Sequence, residues 1–218
     1  MQEDVVKDRE RTDLHEFRAA VERTLGSGPY HERYENCVET GTGSLRIVTE
    51  GYADPRLVTF VQSGTMHAPE GAGSLPESRM VEGDLYQLMG ADEWVMLPGA
   101  GLRHSPLGPV AALLEAVDGV EVSPGRWHVR VPGGLGDREL RGVNEVARGL
   151  PGEDRESAVM PAIEALPEWA SVVIESGIVR EVRYPVAEQE REGPWPFRLA
   201  LSPTPGVAVQ EVARPPVG

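Results

Sequence analysis

Two dipeptides in this chain begin like the zinc-binding helix of a metalloprotease: His15-Glu16 and His31-Glu32. That chemistry needs a second histidine one helical turn beyond the first, so that two imidazoles share a helix face and the glutamate can activate a metal-bound water. Ala19 and Glu35 stand in those places, so no metal site is expected. His104 and Ser105 put a base beside a hydroxyl, but sequence neighbours are not a nucleophile–base pair, and the two read as a helix entry. No Gly-x-Ser-x-Gly elbow occurs to raise a nucleophile above a sheet. The stretch "PGGLGDREL" is glycine-rich, yet it lacks the Lys-Ser/Thr of a phosphate loop and reads as a turn. The single cysteine, Cys37, excludes an intrachain disulfide and a cysteine-rich metal centre. The carboxylates are scattered, with no spacing that pairs them for acid–base work. Neither a catalytic residue nor a cofactor is expected, and the chain reads as a protein other than an enzyme.

Composition narrows the partners. The 218 residues carry a formal net charge of −14, and of the 21 basic residues only Lys7 is a lysine. No basic run offers the concentrated footprint that nucleic acid requires, and an acidic surface is repelled by anionic headgroups. The hydrophobic share of 40% is enough for a core, while 25 glycines and 19 prolines predict many turns and short elements. The charged N-terminus has no apolar leader segment, and no stretch approaches the ~20 apolar residues of a membrane span. As written, the sequence reads as soluble and cytoplasmic.

The elements that must carry these residues follow from periodicity. Residues 1–12 are charged and expected to fray. In "TDLHEFRAAVERTLG", Leu14, Phe17, Val21 and Leu25 form a helical stripe, with Asp13 and Glu16 at capping-box spacing and Gly26 closing the end. A strand-rich stretch follows. Tyr30, Tyr34 and Val38 share one face, as do Leu45 and Ile47. Val58 and Phe60 oppose Leu57 and Val61. The segments "TGTG", "ADP" and "APEGAGSLPES" read as linkers. "GDLYQLMGADEWVML" reads as a hairpin that is apolar on both faces, Leu85 and Met89 opposing Tyr86 and Leu88, and Trp94 and Met96 opposing Val95 and Leu97. An antiparallel hairpin with one wet side should be apolar on one face only, so something is expected to cover the second.

The period then changes. Ser105 as N-cap, Pro106 at the first helical position, and a stripe of Leu107, Val110, Ala111, Leu114 and Val117 predict a helix ending at Gly119. Trp127, Val129 and Val131 alternate with Arg126, His128 and Arg130 as a strand. Residues 135–168 form a polar excursion with weak helical spacing. "SVVIESGIVREVRYPV" is a hairpin turning at Ser176-Gly177, and the segment from Pro196 to Pro216 supplies one more strand pair.

The order and spacing of these segments resemble the LolA-like superfamily, in particular the LppX/LprG group of actinobacterial lipoproteins. "SLRIVTEGYADP" is similar to an early strand pair of that group, "SRMVEGDLYQLMGADEWVMLPG" to a strand–turn–strand with Tyr86 and Trp94, and "PLGPVAALLEAVDGVEVSPGRWHVRVPGG" to the helix and strand that follow. "LPEWASVVIESGIVREVRYPV" is similar to its late hairpin, and "PTPGVAVQEVARPP" to its closing strand. The resemblance implies an α+β fold, a strongly curved antiparallel half-barrel with a few helices covering its concave face, as a single domain over residues 13–216. It implies a carrier of lipid or another apolar acylated ligand, with Phe60, Tyr86, Leu88, Trp94, Met96, Leu113, Leu114 and Trp127 as lining residues. An empty apolar chamber of ~300 Å³ would cost about 7 kcal/mol, comparable to a domain's whole stability of ~5–15 kcal/mol, so a ligand should fill it. The lipoprotein group carries a signal peptide and a lipidated cysteine near the mature N-terminus. Neither stands in this sequence; a truncated N-terminus would place the protein in the cell envelope. The alternative is a protein-interaction or regulatory module on the same fold with its cavity collapsed, its acidic surface favouring a basic protein partner.

Overall fold

The computed structural model describes residues 14–40, 43–69, 71–89, 93–132, 168–184, 197–205 and 214–215. The excursion at 135–168 lies outside these residues but for Glu168, as do Asp13 of the expected capping box and most of the last expected strand.

Among the described residues eleven strands form one antiparallel sheet in the order β6-β5-β4-β3-β2-β1-β11-β10-β9-β8-β7. The first arm is a six-strand meander: β1 (Tyr30–Thr40), β2 (Gly43–Asp54), β3 (Thr59–Ala68), β4 (Gly71–Val81), β5 (Asp84–Met89) and β6 (Glu93–Leu97). The chain then crosses to the far edge and winds back through β7 (Asp118–Ser123), β8 (Arg126–Arg130), β9 (Trp169–Glu175), β10 (Ile178–Tyr184) and β11 (Phe197–Pro203). The first and last strands therefore pair in the middle of the sheet, Tyr30 against Pro203 and Asn36 against Phe197. Among the described residues the edges β6 and β7 do not meet, and the sheet is not closed.

Helix α1 (His15–Leu25) buries Phe17 and Val21 of the expected stripe, and Leu14 is buried just before it, while Leu25 is only half-buried and Ala20 and Thr24 complete the buried face. It is fixed to the second arm by polar contacts. The Thr24 hydroxyl accepts the Val179 N–H at 2.8 Å and donates to the Ala20 carbonyl at 2.7 Å. The guanidinium of Arg18 donates to Ala116 O, and that of Arg23 to Gly177 O, each at 2.8 Å. Phe17 packs on Trp127 with ring centroids 5.4 Å apart. One core joins α1 and α2 to the same sheet face through Val129, Val172, Val182 and Leu199, each fully buried. We call this the helix face, and the other the reverse face.

Three local expectations change. The single helix over 105–119 is instead a 3-10 turn (Leu102–His104), a five-residue α2 (Gly108–Ala112), a second 3-10 turn (Leu113–Glu115) and then β7. Ser105 is not the N-cap: α2 starts after Leu107, which makes no side-chain cap bond, with Pro109 in place of Pro106 in its first turn, and the Ser105 hydroxyl accepts the Leu107 N–H at 3.1 Å in the turn before it. Beyond Val110 the buried positions are Leu113 and Ala116, a spacing of three, while Leu114 and Val117 are exposed. The expected linker "APEGAGSLPES" is mostly strand: β3 continues to Ala68 and β4 begins at Gly71. Pro76, the proline of this stretch that falls inside β4, is tolerated because the register slips there. Gln62 faces Ser78 and Gly64 faces Leu75, so Pro76 and Glu77 together oppose Ser63, the bulge in which a strand can hold a residue without an N–H. Val58 sits in a turn at φ 48° rather than in β3. The turn at Ser176 and Gly177 is as expected, both residues having positive φ (53° and 71°), the requirement of a two-residue hairpin loop.

Candidate functional site

Cross-strand partners share a face, so register assigns every side chain. Phe60 faces Met80, Met80 faces Leu85, and Leu85 faces Leu97. These belong to the helix face, as do the buried Trp127 and Leu113. Tyr86, Leu88, Trp94 and Met96 have the other parity, with Tyr86 opposite Met96 and Leu88 opposite Trp94. There the Arg79 guanidinium lies 5.0 Å from the Trp94 ring centre, and Tyr86 is buried while Met96 is exposed. Leu114 is exposed on the 3-10 turn. The eight expected lining residues thus divide between two faces: Phe60, Leu113 and Trp127 come together in the core, and the hairpin's four form a separate cluster.

The helix face has two contrasting rows. An apolar row runs Tyr30–Ala53–Phe60–Met80–Leu85–Leu97 across β1 to β6. It is fully buried as far as Met80, half-buried at Leu85 and 42% exposed at Leu97. The helical cover ends before the row does. The neighbouring row is polar: Glu32–Gly51–Gln62–Ser78–Gln87, ending at Val95. Glu32 is fully inaccessible to solvent. Gly51 is required opposite it, since a Cβ there would collide with the Val61 carbonyl. Asn36 is buried two rows beyond Glu32, beside Phe197, on which Tyr184 stacks with centroids 4.7 Å apart and planes 7° from parallel. Sequence reasoning missed Leu85, Val95 and Leu97 as the apolar margin, Glu32, Gln62 and Gln87 as the polar row, and Asn36 as a buried polar residue. Their signal was alternation: Glu32 and Asn36 share parity with Tyr30 and Tyr34.

The reverse face of the second arm holds a cavity of about 570 Å³, lined by Arg126, Arg180, Arg183 and Arg198, the carboxylates Glu175 and Glu181, and a small wall that includes Val173, Ala200 and Ser202. Arg183 and Arg198 are directly opposite each other on β10 and β11, an arrangement that repels without a shared anion. Glu181 supplies one, accepting Nε–H from Arg183 at 2.6 Å and from Arg198 at 2.7 Å. Burial raises the Glu181 pKa, but the hydrogen bonds and charges of these two guanidiniums outweigh it and hold the carboxyl below its ordinary value. The irregularity between Val179 and Glu181 lets both Arg180 and Glu181 line the cavity, and Arg180 stands 3.7 Å from Glu175. Among the described residues no three His, Cys, Asp or Glu side chains are grouped to hold a metal ion, and no helix is long and apolar enough to cross a membrane. No protein-family model matches the chain, and no curated protein matches it.

Proposed function

We propose that this sheet is bent into a half-barrel and that the chain is a non-enzymatic binding protein, holding an apolar or acylated ligand against the helix face as the likeness to LolA-like carriers implies. The observation that supports this reading is the apolar row that leaves the core and continues uncovered onto β5 and β6. Val95 and Leu97, both on the helix face, are 46% and 42% exposed, and Leu85 beside Leu97 is only half-buried. An acyl chain laid along Leu85, Val95 and Leu97 would extend the core and remove this surface from water, at about 25 cal/mol per Å² buried.

The test is mass spectrometry of the purified chain under native and then denaturing conditions, followed by titration with a fluorescent fatty acid. The wild type should bind. Val95→Asp and Leu97→Asp should each weaken binding at least tenfold while stability stays within about 0.5 kcal/mol, because both sites are exposed. Met96→Asp, on the same strand but the reverse face, should bind as the wild type does. No lipid and no fatty-acid binding, or equal losses in all three variants, would reject the carrier. A second reading then gains: β6 is a sheet edge with exposed apolar side chains, which suits addition of a strand from a protein partner.

A further inference from the structure

The reverse-face cavity is independent of the proposed carrier site. From it we infer that the chain binds a small phosphate monoester between β8 and β11. Four arginines and two glutamates line the cavity, a local surplus of two positive charges in a chain whose formal net charge is −14. Glu181 takes one N–H from each of Arg183 and Arg198. Each guanidinium has five N–H donors in a planar fork, so among the described residues both retain donors that Glu181 does not use. Arg180 reaches Glu175 only at 3.7 Å, and among the described residues Arg126 has no acidic partner. Register puts Arg126, Val173, Glu181 and Ala200 in one row across β8 to β11, with Arg183 and Arg198 in the next. The uncommitted donors therefore converge from two adjacent rows.

A dianion matches this surplus, and arginine forks match the paired oxygens of a phosphate. The volume of about 570 Å³ falls within the ~300–1,000 Å³ of small-molecule sites. It exceeds what inorganic phosphate fills, and Val173 and Ala200 on the reverse face offer a small apolar wall for an organic body. The ligand class is a phosphate carried on a small, partly apolar group.

Isothermal titration of the full chain with phenyl phosphate and with inorganic phosphate, at low ionic strength, tests the site. Phenyl phosphate should bind saturably at one per chain and more tightly than inorganic phosphate. Arg126→Gln and Arg198→Gln should each weaken it at least tenfold. Arg46→Gln removes an exposed charge on the same face outside the cavity and should leave binding unchanged. Arg126 is exposed, so its variant should keep the wild-type urea midpoint and tests the site without a folding defect. Sedimentation with phosphatidic acid vesicles separates the sources: Arg126-dependent binding there, without phenyl phosphate binding, assigns the same phosphate chemistry to a lipid headgroup. No saturable binding of phenyl phosphate together with no Arg126-dependent binding of the vesicles, equal weakening by Arg46→Gln and Arg126→Gln, or wild-type binding by both cavity variants overturns the inference.

Discussion

Asp54 shows how a single carboxylate is held in this sheet. Its side chain is almost wholly buried, whereas Arg56 is half exposed. Arg56 forks both oxygens, Nε to Oδ1 at 2.9 Å and Nη2 to Oδ2 at 2.6 Å, and its backbone N–H adds a third bond at 3.0 Å. The Arg56 side-chain bond is the largest influence and lowers the Asp54 pKa; burial opposes it without prevailing. A carboxyl whose pKa is depressed on folding contributes stability above its unfolded pKa of about 3.9 and loses it as pH falls through the folded value. Asp54→Asn keeps an acceptor for the Arg56 N–H but removes the charge. The gap in stability between wild type and this variant should be widest near neutral pH and should close below about pH 4, measured by urea unfolding across that range. A gap that does not change with pH would deny the ion pair any part in stability. Two tryptophans give a contrast at the same scale. Trp127 is 5% exposed and packs on Phe17, so Trp127→Ala should cost ~3–5 kcal/mol. Trp94 is half-buried on an edge strand, and its alanine variant should cost about 1 kcal/mol. Similar urea midpoints for the two would contradict this assignment of faces.

Among the elements, the segment from Leu107 to Ala116 is the most instructive. A regular helix would bury Leu107, Val110, Leu114 and Val117. The observed chain closes one short helix and then tightens into a 3-10 turn, which brings Leu113 and Ala116 to the core instead. Pro106, Gly108 and Pro109 leave α2 few residues in which to build a regular helix. The difference is measurable by neighbouring substitutions. Leu113→Ala should destabilise by ~2–5 kcal/mol, and Leu114→Ala by less than about 1 kcal/mol, in urea unfolding. The reverse order would restore the regular helix. The hairpin β5–β6 answers the question raised by its two apolar faces. Its reverse face is partly occupied by Arg79 over Trp94, while on the helix face the cover stops short of Val95 and Leu97.

For the whole molecule, the decisive feature is the central seam between β1 and β11. It closes contacts between the two ends of the chain, and it joins a first arm of local hairpins to a second arm that carries the helices. Stability should therefore be unevenly distributed. Buried side chains concentrate on β1, β10 and β11 and beneath α1, whereas among the described residues β6 is paired on one side only and has exposed residues. Native-state hydrogen exchange should find the slowest amides in β1, β10 and β11 and the fastest strand amides in β6. Uniform protection from β6 to β11 would mean that the edge is covered in solution, a result that would bear on both readings of function.

Several of these features were legible in the residues alone. Alternation placed Tyr30 with Tyr34, Trp127 with Val129, and Leu85 opposite in face to Tyr86; the stripe of Phe17 and Val21 identified α1; Ser176 and Gly177 identified a turn. Each depends on neighbours within a few positions, where side-chain direction follows directly from the local period. The face on which a parity falls, the strand order and the central seam depend on pairing between distant segments, and no local period encodes it. That is why β4 looked like a linker until β3 supplied its hydrogen-bonding partner. It is also why Trp94 and Phe60 looked like companions until register set them on opposite sides. The arginine cavity has the same origin. Arg126, Arg180, Arg183 and Arg198 sit on three strands, and their charges are gathered only when the sheet is assembled.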